Sequence, residues 1–571
     1  MARLISSNRS IVFGVVAALA AAAPAFAQSA RSPRVDSIDA RKRAVRMQTW
    51  FERVRHMNLP VRFSGGGGYD CDARVGRFCQ WNDDDPRAPK EPKPIREARD
   101  QLLLTLDSAA ARSPADDWIA GQRIRYLVEA GRDSDAVQVA RSCAGTRWWC
   151  DALKGLALHE LRNYAAADSA FHDALAAMPT NERCRWTDLS SLLDDAQRKR
   201  FGKVGCGRNE ALARRLWWLA DPFLAIPGND RETEHYARQV MGRIMDGTRA
   251  GYSLQWGDDL RELVVRYGWS RYWSRAPGSY YDPYDGPVSG HEAAPNYHFF
   301  PISVNVDSIT DIGESTWDFS ERRSVERYSP AVAVTFGDFD AQLALFRRGD
   351  SVQVVAAYDL TFDTALAGPA EHTALVLQRS EHDQPTISQS VDTRGWYTFT
   401  MNSTPRLLSF EAWNPEKKRG GRIRRAVWLA PLPPGTVAVS DILLFDATTT
   451  PSTDLTAILP LALGPSTVER SKKLGLYWET YGLARPDSAL PVSLTLTKVN
   501  KGLRKLAEVI GIGKSTPMSI AWHETPALGG IATRSVVLDL SLIPRGQYRL
   551  KLELTPRAGP PVTTTRIIEI P

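Results

Sequence analysis

The chain has 571 residues, with 72 Lys and Arg against 65 Asp and Glu, six Cys and 43% hydrophobic residues. At roughly 100–200 residues per domain, that length calls for about three or four domains, each with its own core. A 24% charged and 9% aromatic composition excludes wholesale disorder, collagen-like repeats and an extended coiled coil.

Residues 1–27 read as a signal peptide. Arg3 and Arg9 form a positive start, Ile11 to Ala23 is an uncharged apolar run, and Ala25-Phe26-Ala27 has the small-x-small form of a cleavage site. The run is short for a bilayer span. Gln28, not Cys, follows the expected cut, so no lipid acceptor is expected there. The one later stretch that comes near a span, 426–445, is broken by Pro431, Pro433, Pro434 and Asp441. The mature chain is therefore expected to be exported, periplasmic or extracellular, and soluble. Losing two arginines and no acid lowers the net charge from +7 to +5. That is too small an excess to point to nucleic acid.

An oxidising compartment favours pairing of Cys71, Cys79, Cys143, Cys150, Cys184 and Cys206. Six cysteines allow 15 connectivities, and pairing of sequence neighbours is the simplest: Cys71–Cys79, Cys143–Cys150 and Cys184–Cys206. No C-x-x-C spacing and no well-placed His favours zinc.

In chain order, residues 28–60 have apolar positions at helical spacing, Ala44, Met47, Phe51 and Val54. Arg31, Arg34, Arg41, Lys42, Arg43, Arg46, Arg53 and Arg55 make this the most basic stretch. It reads as a solvated helix face, or alternatively as a surface for anionic envelope polymers. A Gly65–Gly68 run, two cysteines and a Pro-rich linker from Asp83 to Pro94 complete the segment 28–95.

Residues 96–210 read as Ala- and Leu-rich amphipathic helices. Gly155, Tyr164, Ala167, Phe171, Ala174 and Pro179 stand at spacings that resemble the tetratricopeptide repeat. In that repeat small residues let paired helices approach, and Phe packs between units. Gly131 and Ala136 echo Arg162 and Ala167 at a period of 31. The expectation is a short, irregular set of repeats, with Cys143 and Cys150 joining adjacent units across their turn.

Residues 211–325 run from Leu216-Trp217-Trp218 through Asn229-Asp230-Arg231 to Trp256-Gly257-Asp258-Asp259 and Arg266-Tyr267-Gly268. This order resembles the GWxTD-domain family of exported bacterial proteins, with Trp256, Asp259, Arg261, Arg266, Tyr267 and Gly268 at matching places. Gly257 follows the Trp here, and Asp258 stands where the family has Thr. The resemblance implies an envelope-associated protein, a strand ending at Arg266-Tyr267-Gly268, and a C-terminal sandwich. It implies no catalytic residue. Asp258, Asp259 and Glu262 are expected to pair with Arg261 and Arg266.

Ten aromatics fall between Tyr267 and Phe300, punctuated by Pro and Gly. Rigid amphipathic rings on a loop suit recognition of a glycan, peptide or protein, and they equally suit plugging a core. Tyr267, Trp269, Trp273, Tyr280, Tyr281, Tyr284, His291 and His298 form the candidate binding loop.

Beyond residue 326 the pattern changes to strands. Seven runs, Ala331–Phe336, Gln342–Phe346, Val352–Leu360, Thr373–Arg379, Trp396–Met401, Leu407–Trp413 and Ala426–Ala430, indicate an antiparallel immunoglobulin-like sandwich over 326–450. Leu474–Leu483, Val492–Lys498, Met518–Trp522, Ser535–Leu540, Tyr548–Leu554 and Thr564–Ile570 indicate a second over 451–571.

Gly511-Ile512-Gly513-Lys514-Ser515-Thr516 imitates a phosphate loop, but Glu508 stands where a Gly is required and Pro517 follows. His291-Glu292 and His298 are too far apart for a helical zinc motif, so neither metal nor cofactor is expected. The fold expected is multidomain α+β: tetratricopeptide-like helices, a GWxTD-like module and two β-sandwiches. The function expected is non-catalytic binding of an envelope protein or glycan. The alternative is an envelope hydrolase built from Tyr267, Asp282, Asp285, His291 and His298.

Overall fold

The computed structural model describes residues 33–62, 73–80, 90–202, 205–248, 256–291, 297–302, 305–319, 326–369, 371–447, 451–470, 472–483, 489–499, 517–525, 530–557 and 559–571. The signal segment 1–27, the Gly65–Gly68 run, Cys71, linker residues 81–89, Glu292 and the 511–516 run lie outside them. The described N-terminal part is largely helical and the C-terminal part is β. No described helix is long and apolar enough to cross a membrane.

The helical part comprises α1 (Pro33–Met57), a small hairpin of β1 (Ala73–Val75) and β2 (Phe78–Gln80), α2 (Lys93–Arg112), α3 (Asp117–Glu129), α4 (Asp133–Arg141), α5 (Arg147–Glu160), α6 (Tyr164–Ala177), α7 (Thr180–Trp186), α8 (Asp195–Phe201), α9 (Cys206–Ala220), α10 (Asp230–Asp246) and α11 (Asp258–Tyr267). A second small hairpin, β3 (Tyr272–Arg275) and β4 (Val288–His291), follows α11. The hairpins α3–α4 and α5–α6 turn the same way. In the first, Gly131 has φ +68°, and N–H groups of Gly131 and Arg132 donate to Val128 O and Leu127 O. In the second, Arg162 has φ +62°, and Arg162 and Asn163 donate to His159 O and Leu158 O. The 31-residue period is thus a repeated helix-ending turn with a left-handed residue. A Cβ on Gly155 would sit 2.6 Å from the Phe171 ring, so only glycine permits the α5–α6 approach.

Disulfides Cys143–Cys150 and Cys184–Cys206, with Cα–Cα distances of 5.6 and 5.5 Å, tie α4 to α5 and α7 to α9. Cys79 is also disulfide-bonded.

One expectation for the elements of 211–325 is corrected: Asp258–Tyr267 is a helix and not a strand. Leu260, Val264 and Tyr267 are buried at helical spacing, two acids open the first turn, and Glu262 pairs with Arg266 at 2.9 Å, i to i+4. Asp259 pairs with Arg77 and Arg261 with Asp246, so the local acids do not all serve Arg261 and Arg266. Helix α10 packs with the preceding helices. Its Tyr236, Ala237, Val240, Met241 and Ile244 belong to the same core as Phe51, Leu102, Tyr126, Leu156 and Phe171.

The β part starts with β5 (Thr335–Gly337), β6 (Ala341–Arg348), β7 (Ser351–Asp359), β8 (His372–Gln378), β9 (Thr386–Ser390), β10 (Arg394–Asn402), β11 (Arg406–Asn414) and β12 (Arg419–Val427). They form a β10-β7-β6 sheet and a β5-β12-β11-β8-β9 sheet. The last strand occupies 419–427 where apolar content places it at 426–430, because Arg422 and Arg424 hide its period. Strand β9, Thr-Ile-Ser-Gln-Ser, is too polar for an apolar pattern to reveal.

The rest is β13 (Ala438–Val439), β14 (Leu443–Asp446), a single-turn α12 (Leu455–Ile458), β15 (Lys473–Tyr481), β16 (Leu490–Lys498), β17 (Met518–Glu524), β18 (Ile531–Asp539), β19 (Gly546–Leu554) and β20 (Val562–Ile570). β13 and β14 pair with β15, so strands of the second sandwich begin at 438, before residue 450. With the short β5 and β13 set aside, strands one, two and five of each sandwich make one sheet, and four, three, six and seven the other.

The helical and β parts meet through the C-terminal end of α9. Arg422 and Arg424 of β12 are fully buried and donate to the carbonyls of Leu219, Asp221 and Pro222. Glu411 of β11, also fully buried, accepts from Leu224 N and Ala225 N at 2.9 and 3.0 Å and from Arg424 at 3.1 Å. Burial, reinforced by Arg424, pushes the Arg422 guanidinium well below its ordinary value. Removing one member leaves an uncompensated buried charge. Glu411→Ala should therefore lower the first urea transition by about 3–5 kcal/mol. Gly131→Ala, whose Cβ meets no atom within 4 Å, should cost only about 1 kcal/mol from backbone strain.

Candidate binding site

The aromatic loop divides into an interior part and an exposed tip. Tyr267, Tyr297, Phe299 and Phe300 are buried, and Trp269 and Trp273 pack against the helical core. Tyr267 accepts from Arg266 Nη2 at 3.0 Å, and Trp273 Nε1 donates to Ser270 O at 2.9 Å. These rings plug cores.

The hairpin of β3 and β4 carries the tip, paired from Tyr272↔His291 to Arg275↔Val288. Chain 60–62 clamps β3 from outside: Arg62 N donates to Arg275 O, and Arg275 N donates to Pro60 O, both at 2.9 Å. At the base His291 Nε2 lies 2.6 Å from Ser274 Oγ.

Between the strands the chain folds on its own polar groups. Ser279 donates through N and Oγ to the Asp285 carboxylate at 2.6 and 2.7 Å. Asp282 Oδ1 accepts from Tyr284 N at 2.8 Å, an Asx turn. These bonds from Ser279 hold the Asp285 carboxyl below its ordinary range. A Cβ on Gly278 would meet Asp282 O at 2.4 Å, and one on Gly286 would meet Ala276 O at 2.1 Å. Arg275 lies under Tyr284, with its guanidinium carbon 4.7 Å from the ring centroid.

The braced loop leaves Tyr280 97% and Tyr281 93% exposed, as an edge-to-face pair with centroids 5.5 Å apart. Of the eight candidate residues, the tip brings together Tyr280, Tyr281 and Tyr284. Ser279, Asp282, Asp285 and Arg275 support it. Their signal in the sequence is the Ser-x-x-Asp and Asp-Pro-x-Asp-Gly turn chemistry, which a count of aromatics does not register.

The five residues of the hydrolase alternative serve different partners. Tyr267 bonds to Arg266, Asp282 and Asp285 brace their own loop, His291 meets Ser274, and His298 lies 3.0 Å from Glu326. A cavity of about 350 Å³ lies where the α5–α6 turn meets residues 226–227 and 331–332, and none of the five lines it.

A second constellation lies at the start of α10. His159 Nε2 is 2.7 Å from Glu234 Oε2 and Nδ1 is 3.0 Å from Thr233 Oγ1. Glu234 also accepts from Arg238 at 2.7 Å, and Arg238 donates onward to the carbonyls of Val265, Arg266 and Arg327. Arg231 and Glu326 form a fully buried pair that continues to His298. Burial works to depress the His159 imidazole, but Glu234 outweighs it and raises the pKa above 6.5. Burial likewise works to raise Glu234, and Arg238 and His159 hold it well below its ordinary value. This histidine–carboxylate pair resembles an acid–base couple in composition alone, since its hydrogen bonds join α5, α10 and the chain at 265–266 and 327.

No protein-family model matches the chain, and no curated protein matches it. Among solved structures, the FN1–FN3 domains of chicken CNTN1 are similar at 10% identity over 41% of this chain and 69% of that chain, with TM-score 0.15. A bacterial ice-binding adhesin is similar at 10% identity over 41% and 65%, with TM-score 0.12. Red sea bream transglutaminase is similar at 9% over 41% and 32%, with TM-score 0.12. At such scores these likenesses carry no functional argument.

The His159 shift gives a pH test. A pKa raised on folding contributes stability that is fully present below the unfolded value near 6.5 and is lost as pH rises through the folded value. The destabilisation caused by His159→Gln, measured by urea denaturation, should therefore shrink as pH rises above about 6.5.

Proposed function

We propose that this chain is an exported, non-catalytic interaction protein of the bacterial envelope, and that it engages a protein or glycan through the Tyr280–Tyr281 tip. In this reading residues 1–27 direct export. The helix hairpins are tetratricopeptide-like repeats, and residues 211–325 are a divergent GWxTD-like module whose aromatic loop has become a contact device.

The observation that carries the reading is the tip itself. Two adjacent tyrosines are held almost wholly in solvent on a loop whose conformation is fixed by Ser279, Asp282 and Asp285. Apolar ring surface left exposed contributes nothing to folding. Placed on a pre-organised loop, it offers a contact with little ordering cost on binding. Tyrosine suits this use because it combines a large flat face with a hydroxyl and few rotatable bonds.

The test compares wild type with the Tyr280→Ala/Tyr281→Ala variant, using sedimentation with purified cell-wall glycan and capture from envelope extract. Loss of about tenfold or more in affinity for one of these, with an unchanged melting temperature, is the expected result. Equal binding of both proteins to every fraction would sink the role of the tip.

A further inference from the structure

We infer that the outer face of α1 is a docking surface for an anionic lipid bilayer. Its inner face is taken up by the fold. Ala40, Ala44 and Phe51 enter the core, Arg41 pairs with Asp116, and Arg55 pairs with Glu129. Buried Glu52 accepts from Tyr126 at 2.8 Å. The outer face differs. Lys42, Arg43, Arg46 and Arg53 are exposed, and none has a hydrogen-bond or ion-pair partner among the described residues.

These cations share their face with apolar side chains that the fold does not use. At helical spacing, Lys42, Arg46 and Arg53 run along the middle of one stripe. Ile38 and Val45, 47% and 39% exposed, flank it on one side, and Trp50 and Met57, 39% and 52% exposed, on the other. Thr49 directs its hydroxyl to Val45 O at 3.0 Å. The nearby acids Asp36 and Asp39 lie at the N-terminal end.

An acidic polymer would be met by the cations alone. Cations interleaved with Trp, Met and branched aliphatics fit a headgroup region, where phosphates lie beside the first methylene groups. Tryptophan is at home at that depth. This inference stands apart from the tyrosine tip, which lies on another element.

The test uses the chain beginning at Gln28, so that the apolar run makes no contribution. Its partition is measured on sedimented vesicles of phosphatidylcholine, with and without one-third phosphatidylglycerol. Binding should require phosphatidylglycerol and weaken in high salt. Lys42→Gln/Arg46→Gln/Arg53→Gln should reduce it about 100-fold, and Trp50→Ala about fivefold. All four side chains are exposed, so an unchanged melting temperature is expected. Absent wild-type binding, equal binding to neutral vesicles, or wild-type binding by the charge variant overturns the inference. Loss in the charge variant with none in Trp50→Ala assigns the stripe to polyanions in general, and overturns the bilayer as its partner.

Discussion

The structure depends on how one helix ends. The last carbonyls of α9 carry the negative end of its dipole into the face of a β-sheet. Arg422 and Arg424 meet them there, and Glu411 receives two amides of the departing chain, those of Leu224 and Ala225. Two guanidiniums in an apolar interior are costly unless their donors are satisfied. Carbonyl acceptors, Ser409, Glu411 and the faces of Phe299, Trp317 and Phe319 supply most of that compensation, and Arg422 Nε is left without a hydrogen-bond partner among the described residues. Because α9 also buries Trp217 and Trp218 against the aromatic chain at 297–317, its C-terminal end sets the position of the first sandwich against the helices.

The same device recurs one helix later. Asn229 caps α10 through Glu232 N, while Asp230 accepts from Ala331 N, and Arg231 pairs with Glu326. Arg238 spans onward to carbonyls at 265, 266 and 327. Charge is concentrated where chain segments distant in sequence converge, beside an apolar core that joins α9 and Phe223 to Phe336, Val376, Leu407 and Trp413. Ionic contacts of this kind demand particular angles, whereas apolar surfaces accept many. At the junction between the helices and the first sandwich, polar geometry therefore adds direction to an apolar contact.

What is legible in the sequence follows from that division. The second sandwich can be read nearly strand for strand, because Val492, Leu494 and Leu496 or Leu550, Leu552 and Leu554 alternate plainly. Neighbour pairing is the simplest reading of the cysteines, and the two bridges between described residues follow it. The junctions are illegible. Arg422, Arg424, Glu411 and Arg231 read as surface residues by type, and only the folded chain shows them wholly buried. The α11 segment misleads for another reason: the strand expected there is what the resemblance implies, while the spacing of Leu260, Val264 and Tyr267 is helical. In the aromatic loop the count of rings is visible but their division is not. That division rests on which residues β3 and β4 carry outward.

The two exposed features of the helical half are mechanically one unit. Phe51 of α1 lies in the core against which Trp273 and Val288 of the hairpin pack. The chain leaving α1 then bonds directly to the hairpin, through the 2.9 Å bonds between residues 60–62 and Arg275. The Arg275 guanidinium in turn lies under Tyr284 at the tip. A packed core and a backbone ladder permit little relative motion, so the cationic stripe and the tyrosine pair keep a fixed spacing. Neither feature is needed by the fold, since both leave apolar surface in solvent. Their rigid linkage is what a protein would require to hold one surface while presenting another at a set distance from it.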